Sequence, residues 1–141
     1  MKNLVKNSLL CLSALTLLAA CNQKAKPSGP QKPTFPVKLV KDYFTDNGVT
    51  VKIPKLTIAD PQGQFEVSEG LMGGPMIYAS ALSEEEIQDF VSAFEKAGWA
   101  LSFELMEGDA FYQYGEEDAW VEIMINARFN NMSFDFYAGE L

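Results

Sequence analysis

The sequence predicts an α+β domain in which one main helix packs on a mainly antiparallel β-sheet ending in a four-stranded meander. Three observations carry this. Apolar residues recur at helical spacing from Ser83 to Ala97. From Trp99 onward the period switches to two, in four runs separated by short turns. Residues 37–141 contain no internal repeat and no second linker, and they suffice for one core.

The chain begins with a different kind of segment. Lys2 and Lys6 precede an apolar run from Leu9 to Ala20. That run is too short to span a bilayer, which takes roughly 20 residues, and it fits the apolar region of a signal peptide. It closes on Leu18-Ala19-Ala20-Cys21. This tetrapeptide resembles a bacterial lipobox, and residues 1–22 together resemble a lipoprotein signal peptide. The resemblance implies cleavage before Cys21, a diacylglyceryl thioether on its sulfur and acylation of its amine. Several acyl chains hold a protein to a membrane where one binds reversibly, because each buried methylene contributes ~0.8 kcal/mol. The anchored protein would then face the periplasm or the exterior, on the cell membrane or the outer membrane. Asn22 in place of aspartate favours the outer membrane in a host that has one. Cys11 leaves with the leader, so Cys21 is the only cysteine after cleavage and the fold must hold without a disulfide.

Residues 21–36 read as the lipidated cysteine and a tether. Pro27, Pro30, Pro33 and Pro36 alternate with Lys24, Lys26 and Lys32, and no apolar period is present. Such a stretch extends about 45 Å as polyproline II, or roughly 20 Å as a coil.

Within the domain, residues 38–46 suit either a short helix or one strand of a hairpin turning at Asp46-Asn47-Gly48. Val49, Val51 and Ile53 alternate until Pro54, as in a strand. Phe65 with Val67 suggests a second strand, and Met76 to Ser80 leads toward the helix. Ser83 and Glu86 form a capping box, and Glu84 to Glu86 complement the positive helix N-terminus. Ile87, Phe90, Val91, Phe94 and Ala97 make the apolar face, and Gly98 terminates the helix. The four runs that follow are 99–105, 110–114, the alternation around Val121–Ile125, and Met132–Phe136. Glu107-Gly108-Asp109, Gly115-Glu116-Glu117 and Asn130-Asn131 supply the turns. Ile53-Pro54 followed by a strand, the helix and Gly98-Trp99 is similar to small domains of uncharacterised bacterial lipoproteins. That resemblance implies a fold and no activity.

Charge and composition exclude several functions. All 19 acidic residues follow residue 36, where six cations oppose them, leaving residues 37–141 at −13. Such a domain does not bind nucleic acid, which demands basic patches. The absence of histidine removes the Ser-His-Asp and Cys-His arrangements and the commonest zinc ligand. The acidic turns at Asp109 and Glu116–Asp118 lack calcium-loop spacing, and Gly70 to Pro75 lacks the context of a phosphate loop. No cofactor, metal or catalytic residue is expected.

The alternation places Leu101, Phe103, Val121, Ile123, Ile125, Phe134 and Phe136 on the inner sheet face. The opposite face then carries Trp120, Met124 and Tyr137 beside Glu104, Glu122 and Asp135, with Tyr112 and Tyr114 as possible additions. Aromatics interspersed with acids suit a basic protein, a cationic peptide or a carbohydrate. In the competing view residues 37–47 cover this face and make the aromatics core. The expectation is a non-enzymatic, lipid-anchored interaction domain of the cell envelope. The alternatives are an envelope enzyme cleaving glycans with paired carboxylates, an inhibitor of such an enzyme, and a purely structural lipoprotein.

Overall fold

A computed structural model describes Gly29 and residues 31–141. The expected signal peptide, Cys21 and most of the expected tether lie outside the described residues. The described chain is α+β and mostly sheet. Helix α1 (Val37–Asp46) is followed by strands β1 (Gln64–Glu69) and β2 (Pro75–Ser80), helix α2 (Glu84–Ala97), then β3 (Trp99–Met106), β4 (Asp109–Tyr114), β5 (Ala119–Asn126) and β6 (Asn131–Ala138). The six strands form one sheet in the order β1-β2-β6-β5-β4-β3, and every neighbouring pair is antiparallel.

Local chemistry explains the helices. The Ser83 hydroxyl accepts from the Glu86 N–H at 3.1 Å, and the Glu86 carboxylate accepts from the Ser83 N–H at 2.8 Å. Both halves of the capping box are therefore made. The second Glu86 oxygen accepts from the Ala59 N–H at 2.7 Å, which ties the helix start to the preceding loop. Gly98, at φ +107°, ends α2 in the left-handed conformation that a side chain would resist. In α1, Val40 and Phe44 lie one turn apart and are both fully buried, so the helical alternative prevails over the hairpin.

Both helices contribute to one core on one face of the sheet. Ile77, Val121, Ile123, Phe134 and Phe136 rise from that face to meet Val40, Phe44, Phe90 and Phe94. Phe94 stacks on Phe134 with ring centroids 5.2 Å apart, and Phe44 lies 6.1 Å from Phe136. Residues 49–53 are buried in alternation, as a strand would be, yet pair with no strand. Pro54 removes a ladder donor here, and the Lys52 carbonyl instead accepts from the Trp99 indole N–H at 2.8 Å.

The expected tether ends sooner than its composition suggests. The compact unit starts at Lys32, not Val37. The Phe35 N–H donates to the Leu56 carbonyl at 2.9 Å, and the Ile58 N–H donates to the Pro33 carbonyl at 3.1 Å. The Phe35 ring is 4% exposed and meets Phe65 and Phe134 edge-on, each at 5.4 Å. Phe35→Ala is expected to lower the unfolding free energy by about 3 kcal/mol, as for a buried phenylalanine. Urea unfolding measures this. An unchanged midpoint would return residue 35 to the tether.

Candidate functional site

The two faces of the sheet differ because β4, β5 and β6 alternate in phase. Three rows of directly paired residues cross the outer face. Gln113, Trp120 and Tyr137 form the first. Phe103, Phe111, Glu122, Asp135 and Met76 form the second. Met106, Asp109, Met124, Ser133 and Tyr78 form the third. Directly opposed side chains lie about 5 Å apart at Cβ, so each row is a contiguous strip.

Helix α1 does not cover this face. Its Val40 and Phe44 point to the Trp99 and Phe136 side of the sheet. The competing view, in which residues 37–47 turn the Trp120 face into core, is therefore overturned. The outer face is nonetheless not uniformly open. Asp135 and Tyr137 are buried, Trp120 and Glu122 are half-buried, and Met124 is exposed. The loop after β1 closes over Asp135. The Leu71 N–H donates to one Asp135 oxygen at 3.3 Å, and a Cβ on Gly70 would stand 1.8 Å from the other. Only glycine fits at position 70 without displacing that carboxylate.

Three sequence expectations change sides. The sequence reading places Glu104 on the outer face, but the irregularity between Leu101 and Phe103 resets its phase, and it pairs with Ala110 in register with the inner face. Phe103, expected inside, instead stacks on Phe111 outside, with centroids 4.6 Å apart and planes 12° from parallel. Tyr112 and Tyr114 pack with the inner core and do not join the outer aromatics. Trp120, Glu122, Met124, Asp135 and Tyr137 do share the outer face. Asp109 and Phe111 were missed. Their signal was present: a two-residue turn at Glu107-Gly108 pairs Asp109 with Met106 and puts it in phase with Phe111.

The resulting cluster holds three carboxylates. Glu122 lies between Asp135, directly opposite on β6, and Asp109, diagonally placed on β4. Burial raises the Glu122 carboxyl most, and the hydrogen bond with Asp109 and the charges of Asp109 and Asp135 raise it further, to about 7. The shift favours the protonated carboxyl, the form that can donate to Asp109. Burial also raises Asp135, against the Leu71 N–H, which favours the charged form. The Tyr137 hydroxyl is pushed up by burial and by the same three acids. One oxygen each of Asp109 and Asp135, and the Trp120 indole N–H, are buried without a hydrogen-bond partner. Buried polar atoms are rarely left so.

Among the described residues, no group of three or more Asp, Glu, Cys or His could hold a metal ion. A pocket of about 330 Å³ beside the cluster is lined by residues that include Met106, Asp109, Met124, Asn126, Asn131 and Ser133, but not Glu122 or Asp135. The chain matches no protein-family model, no curated protein and no solved structure.

The raised Glu122 has a thermodynamic signature. Its folded-state value lies above the unfolded one, so the native state binds more protons between about pH 4.5 and 7. Stability therefore falls as pH rises through that window. Glu122→Gln is expected to flatten the dependence and to gain about 1 kcal/mol at pH 8 after allowance for solvent screening. Urea unfolding at pH 5 and pH 8 tests this; parallel pH profiles for the two proteins would refute it.

Proposed function

We propose that this chain is a lipid-anchored, non-enzymatic interaction domain of the bacterial cell envelope, whose partner is a protein or peptide presenting basic groups. The observation that carries the reading is the outer face. It joins three carboxylates to Trp120, Phe111, Phe103 and Tyr137, with no helix among the described residues packed over it. A basic peptide supplies what the face lacks. Its cationic side chains donate to the half-buried Glu122 carboxylate, and its apolar groups pack against Met124 and the accessible part of Trp120. The charge of −13 on residues 37–141 attracts such a partner over distances comparable to the Debye length.

The anchor rests on Leu18–Cys21. Among the described residues, no helix is long and apolar enough to cross a membrane. Cys21→Ser is expected to abolish labelling by palmitate in a bacterial host and to release the protein from the membrane fraction. Retained label in that variant would remove the anchor from the proposal.

A second reading, hydrolysis of envelope glycans, draws on one observation. A carboxyl held near pKa 7 beside two other acids has the character of a general acid. Under this reading Glu122→Gln loses hydrolysis of purified envelope glycan. The binding reading is tested by recovery of partners from envelope extracts. Trp120→Ala and Glu122→Lys are each expected to reduce recovery of a basic partner at least tenfold while the circular dichroism stays native. Equal recovery with both variants would displace the site from this face.

A further inference from the structure

A second surface, at the β1 edge of the sheet, has the geometry of a strand-accepting groove. Strand β1 is one rim of the sheet, paired only with β2. The Gly70 N–H donates to the Gly74 carbonyl at 2.8 Å at the mouth of the hairpin. The next pair, Glu69 with Pro75, has no N–H to give from Pro75 and is a non-hydrogen-bonded position. Alternation along the strand then directs the N–H and C=O of Phe65, Val67 and Glu69 away from β2, toward a rim that no other strand among the described residues covers.

Beside this rim lies a groove of about 800 Å³ between α1 and the β1–β2 hairpin. Pro36, Leu39, Tyr43 and Pro75 give it an apolar lining. Tyr43 is fixed there, because its hydroxyl accepts from the Ala138 N–H at 3.0 Å. Asp42, Asp46 and Glu69 contribute three carboxylates, and the single cation of the lining, Lys38, is already hydrogen-bonded to Asp42. An edge strand, a flanking helix with an apolar wall and an excess of acid together define the occupant.

We propose that the β1 rim and the α1 groove bind an extended, lysine- or arginine-bearing peptide as an added strand. Main-chain bonds to Phe65, Val67 and Glu69 would hold the backbone. Alternate side chains would enter the groove over Leu39 and Tyr43, and cations would meet Asp46 and Glu69. This site uses the β1 edge and α1, not the row that carries Trp120 and Tyr137, so either reading can fail without the other.

The probe is the acetylated heptapeptide Lys-Val-Lys-Val-Lys-Val-Lys amide, titrated calorimetrically into the full-length protein, with amide chemical shifts followed by NMR. Shifts are expected at Phe65, Val67 and Glu69 and along α1. A counterpart N-methylated at alternate residues keeps the charge but cannot complete a ladder, and its affinity is expected to fall at least tenfold on the unaltered protein. Val67→Pro removes one outward donor at a position where an edge strand tolerates proline, and a comparable loss is expected. Asp46→Lys combined with Glu69→Lys is expected to abolish binding, whereas Glu116→Lys combined with Glu117→Lys, the same change of charge on exposed residues between β4 and β5, leaves it within twofold. Equal affinity for the N-methylated peptide, which would mean charge attraction alone, overturns the proposal. So do shifts confined to the outer-face residues around Trp120.

Discussion

The fold depends on the alternation of β6, above all on Phe136. Its ring lies within 6.2 Å of Phe35, Phe44, Phe94 and Trp99. Those four residues come from the N-terminal segment, α1, α2 and β3, so one side chain joins parts of the chain as much as a hundred residues apart. Aromatic pairs of this geometry contribute about 0.5–1.5 kcal/mol each beyond the area they bury. Trp99 extends the contact by donating to the Lys52 carbonyl, which secures the irregular residues 49–53 against the core. With no disulfide among the described residues, this packing is what the architecture rests on.

The same strand determines what the other face presents. A residue between two buried phenylalanines must point outward, and in β6 that residue is Asp135. Its carboxylate is held between the Gly70–Leu71 turn and Glu122 by a backbone that the core does not allow to shift. Three acids thus share a partly dehydrated strip, and among the described residues no cation pairs with them. Protonation of Glu122 is the local relief, and burial, ahead of the neighbouring Asp109 and Asp135, is what raises its pKa.

Legibility in the sequence followed the range of the interactions. Helix α2 was readable because its signals are contiguous: Ser83 and Glu86 at one end, Gly98 at the other. The burial of Val121, Ile123, Phe134 and Phe136 was readable from alternation alone. Phe35 was not, because Pro33 and Pro36 give its surroundings the composition of a linker, while its burial is decided by Leu56 and by rings far along the chain. Glu104 and Phe103 were misplaced because the irregularities of β3 arise from its pairing with β4 and leave no mark in composition. The outer-face site was therefore half visible. Residues on β5 and β6 were found by counting in twos, and Asp109 was hidden as a turn residue.

The two rims of the sheet are unequal, and this sets how far the sheet can be extended. Strand β3 ends one side with its phase twice reset between Leu101 and Met106, so a neighbour laid against it would lose register within a few residues. Strand β1 ends the other side without such a break. Head-to-tail stacking of copies needs both rims to be receptive. A molecule with one receptive rim and one refractory rim can take up a single strand and then terminates, so it is capped against fibre growth by its own geometry.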